Sequence, residues 1–156
     1  MQLILLRHAE AEPDAANDRK RPLTEKGRKQ AASIGRFCFG HGIVPEIILS
    51  SPLLRAEETA RLVARELRAP HLVEIEEFLG PGMTAERAFS SLEKYSGKPN
   101  IMLVGHEPDF SNLAGVLIGG HSGSVHFRKA TLMSVSLQKL KPGAGTIEFL
   151  IPVKCL

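Results

Sequence analysis

The chain has 156 residues, of which 43% are hydrophobic and 24% are charged, the balance of an ordinary globular domain with one hydrophobic core. The formal net charge is +3, and only 5% of the residues are aromatic. A nucleic-acid groove combines clustered basic side chains with aromatic stacking platforms, so this composition argues against a nucleic-acid partner. A mild positive charge also suits a site for an anionic substrate.

The N-terminal apolar stretch ends at Leu6, which is too short for a signal peptide or a membrane span. Cys38 and Cys155 stand far apart and outside any metal-binding spacing, so we expect two unpaired thiols in a reducing compartment. These features predict a cytoplasmic protein without a membrane partner.

Hydrophobic periodicity predicts strands that alternate with helices. In chain order we expect a strand at 3–6, a helix from the N-cap Thr24 to residue 40, a strand at 47–49, a helix at 54–67, a strand at 72–75, a helix at 84–95 capped by Thr84, a strand at 101–104, a helix at 110–118, and strands at 131–137 and 146–151. Pro142 and Gly143 lie between the last two strands and predict a hairpin turn.

This alternation predicts the α/β class, with a mostly parallel central sheet between two helical layers. The expected fold is therefore a three-layer αβα sandwich with a hairpin at one edge of the sheet. The sequence contains no internal repeat, low-complexity tract or linker. We expect residues 1–156 to form a single domain.

Basic side chains and imidazoles follow three of the predicted strands. The first strand ends in Arg7 and His8, the second runs into Ser51 with Arg55 four residues further on, and the fourth is followed by His106. Ligands of open α/β sheets bind at the carboxyl ends of strands, so parallel neighbours would bring these groups to one spot. Two guanidinium groups there would hold the oxygens of a phosphoryl group.

Other chemistries fit this pattern less well. Cationic arginines repel metal ions, and few carboxylates accompany them. The sequence contains no G-x-S-x-G motif of a serine hydrolase and no G-x-x-x-x-G-K-[ST] loop of an NTPase. The pattern therefore favours a phosphate site without a metal.

Four motifs resemble one known family in their order along the chain. They are LRHA at 6–9, RPLT at 21–24 with Gly27, SPLLRA at 51–56 with Thr59, and VGHEP at 104–108. The first is similar to the Arg-His-Gly signature of the histidine phosphatase superfamily, with Ala9 in place of the usual glycine. Length and spacing resemble the small SixA-type phosphohistidine phosphatases, and so imply a phosphoglycerate mutase-like fold.

The resemblance implies a role for each basic residue. His8 would be the nucleophile and become transiently phosphorylated, and His106 would contact the phosphoryl group and stabilise charge in the transition state. Arg7 and Arg55 would form the electrostatic clamp, and Arg21 would add a phosphate or substrate contact. No metal or organic cofactor is implied.

An imidazole attacks phosphorus only when it is neutral, so we expect Arg7 and Arg55 to lower the pKa of His8. A hydrogen bond to the other ring nitrogen should select its tautomer.

The general acid is open: the candidates are Glu77 or Glu76, after the third strand, and Glu107, directly after His106. Because the P–N bond of phosphohistidine is labile, such a substrate can be hydrolysed without a well-placed acid.

Between residues 77 and 100 the chain has room for about one helix, which predicts a shallow, open pocket. Such a pocket would admit a phosphohistidine on another protein, such as a phosphotransfer domain. Two alternatives remain at this point: a phosphatase of a small metabolite, and a phosphoprotein-binding module without turnover.

For Arg21, the run Arg19–Lys20–Arg21 could equally be a solvated basic surface. Ser50 and Ser51 are read as helix caps.

Overall fold

The computed structural model describes residues 1–13 and 17–156, and in these residues the backbone forms one six-stranded sheet flanked by helices. The strands are β1 (Gln2–Arg7), β2 (Ile47–Ser50), β3 (Val73–Ile75), β4 (Asn100–Gly105), β5 (Thr131–Leu137) and β6 (Gly145–Pro152). The helices are α1 (Glu25–Gly40), α2 (Leu54–Glu66), α3 (Ala85–Leu92) and α4 (Asp109–Leu117), with short 3₁₀ turns between elements.

The strand order is β3-β2-β4-β1-β5-β6. The first four strands in this order are parallel, whereas β5 runs antiparallel to β1 and pairs with β6 as a hairpin at the edge. This confirms the predicted mostly parallel sheet with an edge hairpin. In the register of the sheet, Arg7 lies beside Gly105 and Ser50 beside Val104, so β1, β4 and β2 end at the same level.

The apolar run of β1 is buried on both faces of the sheet, as a central parallel strand requires. Leu3 and Leu5 pack into a core with α3 and α4, whereas Ile4 and Leu6 pack into a second core with α1 and α2. Side chains that alternate between two helical layers confirm the three-layer sandwich.

Local capping follows the sequence closely. Thr24 accepts a hydrogen bond from the backbone N–H of Gly27, and Thr84 accepts one from Arg87, so both predicted caps are present. The helix predicted at 84–95 is shorter: α3 ends at Leu92 and a 3₁₀ turn, Glu93–Tyr95, follows. There the buried Tyr95 side chain hydrogen-bonds Glu76, a tertiary contact that helical periodicity does not reveal.

Among the helices of the described residues, none combines the length and the apolar content needed to cross a bilayer.

Candidate active site

The two histidines are brought together by the pairing of β1 with β4. The backbone N–H of His8 donates to the carbonyl of Gly105 at 3.0 Å, so the chain continues in register past the last residue of β1. His106 follows directly, and the two imidazole centroids are 5.2 Å apart. Residues almost a hundred positions apart thus become neighbours because their strands do.

A cavity of about 400 Å³ opens at this end of the sheet. Its lining is mostly polar and consists of Arg7, His8, Ala11, Asp18, Arg21, Arg55, Pro81, His106, Glu107 and Lys129. The structure therefore places all five basic or imidazole residues singled out from the sequence at one site. It adds Asp18 and Lys129, which the sequence did not indicate.

The tautomer of His8 follows from one hydrogen bond. Its Nδ1 lies 2.7 Å from the carbonyl oxygen of Ala9, and a carbonyl only accepts, so Nδ1 carries the proton. In the neutral ring, Nε2 then has a free lone pair. Thr59 holds this turn from the other side, because its hydroxyl accepts from the N–H of Ala9 at 3.1 Å and donates to the carbonyl of Arg55.

His8 is held in the neutral form. It is only 7% exposed, and burial, reinforced by His106, Arg55 and Arg7, lowers its pKa to about 3 despite the opposing bond to Ala9. The direction agrees with the sequence-based expectation, but burial is a larger cause than the two arginines. His106 behaves alike: burial first, then Arg55, lowers its pKa to about 4.

The two arginines are anchored by part of each guanidinium group. Nη1 of Arg7 donates to the carbonyl of Phe127 at 2.7 Å, and Nη1 of Arg55 donates to the carbonyl of Asp18 at 2.9 Å. Burial lowers the pKa of both groups, yet a guanidinium remains charged in a protein. Both Nε–H groups are buried and have no hydrogen-bond partner in the described part of the chain. Each arginine thus keeps an N–H group that no described residue engages.

Asp18 joins two of the cationic groups. One carboxylate oxygen lies 3.2 Å from Nη2 of Arg55, and the other lies 2.8 Å from Nε of Arg21. Arg21 also donates to the carbonyl of Glu12. Arg21 is therefore part of the site rather than of a solvated basic run. Nothing in the local sequence identifies Asp18, because its partner Arg55 is 37 positions away.

His106 contacts Ser51, for which the sequence predicts only a cap role. Its Nε2 lies 2.7 Å from the hydroxyl oxygen of Ser51, which also accepts a longer bond from the N–H of Leu53. Nδ1 of His106 is buried and unbonded within residues 1–13 and 17–156. Ser51 therefore acts as a local cap and also touches a candidate catalytic group.

The three candidate acids lie in different surroundings. Glu107 lines the cavity, and one of its carboxylate oxygens accepts a bond from Ser111 at 2.7 Å. The side chain of Glu77 is 74% exposed and lies 3.8 Å from Arg19, away from the cavity lining. Glu76 is engaged by Tyr95 and a neighbouring lysine. Geometry therefore favours Glu107 over the other two.

In the described residues, no three His, Cys, Asp or Glu side chains are grouped so that they could hold a metal ion.

Comparison with known proteins identifies the family. A family model described as the histidine phosphatase superfamily (branch 1) matches residues 3–80, half of the chain. The chain belongs to the histidine phosphatase superfamily. Membership, together with full-length similarity to named phosphatases, makes it a phosphatase enzyme.

Relatives of similar length support this family assignment. Phosphohistidine phosphatase SixA of Escherichia coli strain K12 is 29% identical, over 96% of this chain and 92% of its own. The SixA homolog of Haemophilus influenzae is 33% identical, with 85% of each chain covered. The solved structure of the protein histidine phosphatase SixA with tungstate superposes with a TM-score of 0.89, at 28% identity and 99% coverage of both chains. This superposition confirms the phosphoglycerate mutase-like fold of this histidine phosphatase.

Proposed function

We propose that this chain is a phosphohistidine phosphatase that transfers the phosphoryl group to Nε2 of His8 and then hydrolyses it. The observation that carries the proposal is the bond from Nδ1 of His8 to the carbonyl of Ala9, which leaves Nε2 as a neutral nucleophile at the cavity. Residues 1–156 act in this proposal as one catalytic domain.

In the first step, the lone pair of Nε2 forms a bond to phosphorus, and the P–N bond of the substrate phosphohistidine breaks. The leaving imidazole keeps the bonding electron pair and takes up a proton from the solvent. Arg7, Arg55 and His106 hold the phosphoryl oxygens while charge develops on them, which is the main requirement of phosphoryl transfer.

In the second step, a water molecule attacks phosphorus and the bond to Nε2 breaks. Inorganic phosphate leaves, and the water proton goes to the solvent or to the released phosphate. Throughout both steps the Nδ1–H group of His8 stays on the carbonyl of Ala9, so the ring cannot rotate and returns to the same tautomer.

The substrate is proposed to be a phosphohistidine on another protein, such as a phosphotransfer domain in cytoplasmic signal transduction. The relatives named phosphohistidine phosphatase SixA span nearly the whole chain. Of residues 77–100, all of which the structure describes, Pro81 alone lines the cavity, so this segment adds little wall around the entrance. An entrance of this kind suits a side chain presented by a protein surface better than an enclosed metabolite.

For ester substrates, whose alcohol leaving group needs a proton, we propose Glu107 as the general acid because it lines the cavity. Glu107→Gln should slow hydrolysis of a phosphate ester more than hydrolysis of a phosphohistidine protein. Equal losses on both substrates would contradict this role, and Glu77→Gln is the matched exposed control.

The proposal is tested by mixing the enzyme with a phosphohistidine protein and looking for an acid-labile phosphate on His8. His8→Ala should abolish turnover and the phosphorylated intermediate, while inorganic phosphate still binds to the variant. His71→Ala, at an exposed histidine outside the cavity lining, should leave both unchanged. Phosphate binding without turnover by the unaltered enzyme would instead identify a binding module. A clear preference for a sugar phosphate would overturn the substrate class.

A further inference from the structure

Ser51 is a fully buried polar residue in contact with the site. It follows β2 directly, and its side chain is completely buried. Its hydroxyl oxygen lies 2.7 Å from Nε2 of His106, a contact between residues 55 positions apart. The cap role expected for Ser51 accounts for its bond from the N–H of Leu53 but not for the bond to His106.

The direction of the bond between Ser51 and His106 follows from the one proton of the Ser51 hydroxyl. Its oxygen accepts the N–H of Leu53, and its proton needs an acceptor because the residue is fully buried. Among the described residues, Nε2 of His106 is the hydrogen-bond partner of this hydroxyl besides Leu53. A lone pair on Nε2 therefore accepts the Ser51 proton.

The other nitrogen of His106 provides an independent argument. Nδ1 is buried and has no hydrogen-bond partner among the described residues, and the side chain lines a cavity that also contains Arg7 and Arg55. Nδ1 is therefore unsatisfied in the free protein. A phosphoryl oxygen only accepts hydrogen bonds, so it can pair with Nδ1 only if Nδ1 carries the proton.

We propose that Ser51 is a positioning residue, whose hydroxyl donates to Nε2 of His106 and so holds this ring as the Nδ1–H tautomer, a neutral donor to the phosphoryl group. This inference rests on the proposed function, whose site it refines. In this proposal the two histidines have the same tautomer but present different nitrogens to the substrate. In His8 a carbonyl binds Nδ1–H and leaves Nε2 as the nucleophile, whereas in His106 a hydroxyl binds Nε2 and leaves Nδ1–H as the donor.

The tautomer is measured directly by long-range ¹H–¹⁵N NMR on the unaltered, ¹⁵N-labelled protein at neutral pH, with and without inorganic phosphate. The His106 ring is assigned by its loss in His106→Gln. We expect the Nδ1–H pattern in both states. An Nε2–H pattern, or rapid exchange between the two tautomers, would overturn the proposal. This measurement requires no turnover, so it stays decisive even if the proposed function fails.

Kinetics on a phosphohistidine protein give the second readout. Ser51→Ala should lower kcat by roughly tenfold or more, approaching the ~100-fold cost of losing a direct transition-state donor, with a smaller change in KM. Ser51→Thr, which keeps the hydroxyl, should recover most of kcat. In Ser51→Ala the NMR pattern of His106 should become a mixture of tautomers, a change that a general loss of stability would not produce.

Ser134→Ala is the matched control, because Ser134 is equally buried and its hydroxyl accepts a hydrogen bond from Gln2, outside the cavity lining. It should keep kcat and the His106 tautomer. An equal loss of kcat in Ser134→Ala and Ser51→Ala, or an unchanged kcat in Ser51→Ala, would overturn the positioning role. If the unaltered enzyme shows the expected tautomer but forms no phosphorylated His8, then the proposed function has failed and the tautomer assignment has not.

Discussion

The cavity has two regions that differ in burial and in the kind of partner that holds each side chain. The deep wall consists of Arg7, His8, Arg55 and His106, and the rim consists of Asp18, Arg21 and Lys129. His8, Arg55 and His106 are no more than 7% exposed, whereas the side chain of Asp18 is 63% exposed. Charges at the wall therefore interact in a low-dielectric setting, whereas charges at the rim are screened by solvent and salt.

The partners differ in the same way. Wall groups are held by backbone carbonyls, such as those of Ala9 and Phe127, or by the buried hydroxyl of Ser51. At the rim, exposed side chains take part directly: Asp18 pairs with Arg21 and with Arg55 of the wall, and Arg21 also donates to the carbonyl of Glu12. Backbone partners cannot change rotamer, so the wall is preorganised and the rim is adaptable. The comparison predicts large effects from changes in the wall and small, salt-dependent effects at the rim.

The largest effect is expected for Arg55→Lys. The guanidinium of Arg55 makes two bonds to Asp18 and is proposed to hold a phosphoryl oxygen as well, which a single ammonium cannot do, so kcat/KM should fall by roughly 10²- to 10³-fold. The assay is steady-state hydrolysis of a phosphohistidine protein. Arg61→Lys on the same helix, an exposed arginine paired with Glu57, is the control and should lose less than about twofold. Comparable losses in both variants would remove the distinction between wall and exposed arginines.

The second effect concerns stability against pH. The pKa values of His8 and His106, about 3 and 4, lie below the value of about 6.5 expected for histidine in the unfolded chain. As the pH falls below 6.5, the unfolded chain therefore binds protons that the folded protein does not. Each histidine should then lower the free energy of unfolding by up to about 1.4 kcal/mol per pH unit, until the pH reaches the folded pKa.

Urea denaturation between pH 7 and 4.5 measures this slope, and His8→Asn should reduce it. His71→Asn, an exposed control, should leave it unchanged. Over the same range kcat/KM should not fall through protonation of His8, which stays neutral. If kcat/KM fell with a midpoint near pH 6.5 because His8 becomes protonated, this result would contradict the neutral state of His8 in the buried wall.

The smallest effect is expected for Lys129→Ala at the rim. Loss of one exposed cation near the entrance should raise KM for a phosphohistidine protein by about two- to threefold at low ionic strength, since exposed charge pairs contribute less than ~1 kcal/mol. The difference should shrink at high salt. Lys139→Ala, outside the cavity lining, is the control. A large loss that salt does not reduce would place Lys129 functionally with the wall.

The sequence by itself determined the layered α/β fold and the four residues of the deep wall. Apolar runs and helical stripes are local signals, and strand ends carry Arg7, His8 and His106 at positions where parallel sheets bind ligands. Arg21 and Glu107 also emerged as candidates, since they stand inside motifs that resemble the family. The roles of these residues remain predictions that the experiments above address.

Only the tertiary structure decided which side chains hold the site together. Asp18 meets Arg55 across 37 positions, Thr59 meets Ala9 across 50, and Ser51 meets His106 across 55. Such pairs depend on the strand order β2-β4-β1 and on how the loops close over it, which no local pattern encodes. The same reason explains the low pKa of His8, because burial is a property of the assembled layers, whereas the sequence shows only the charges nearby.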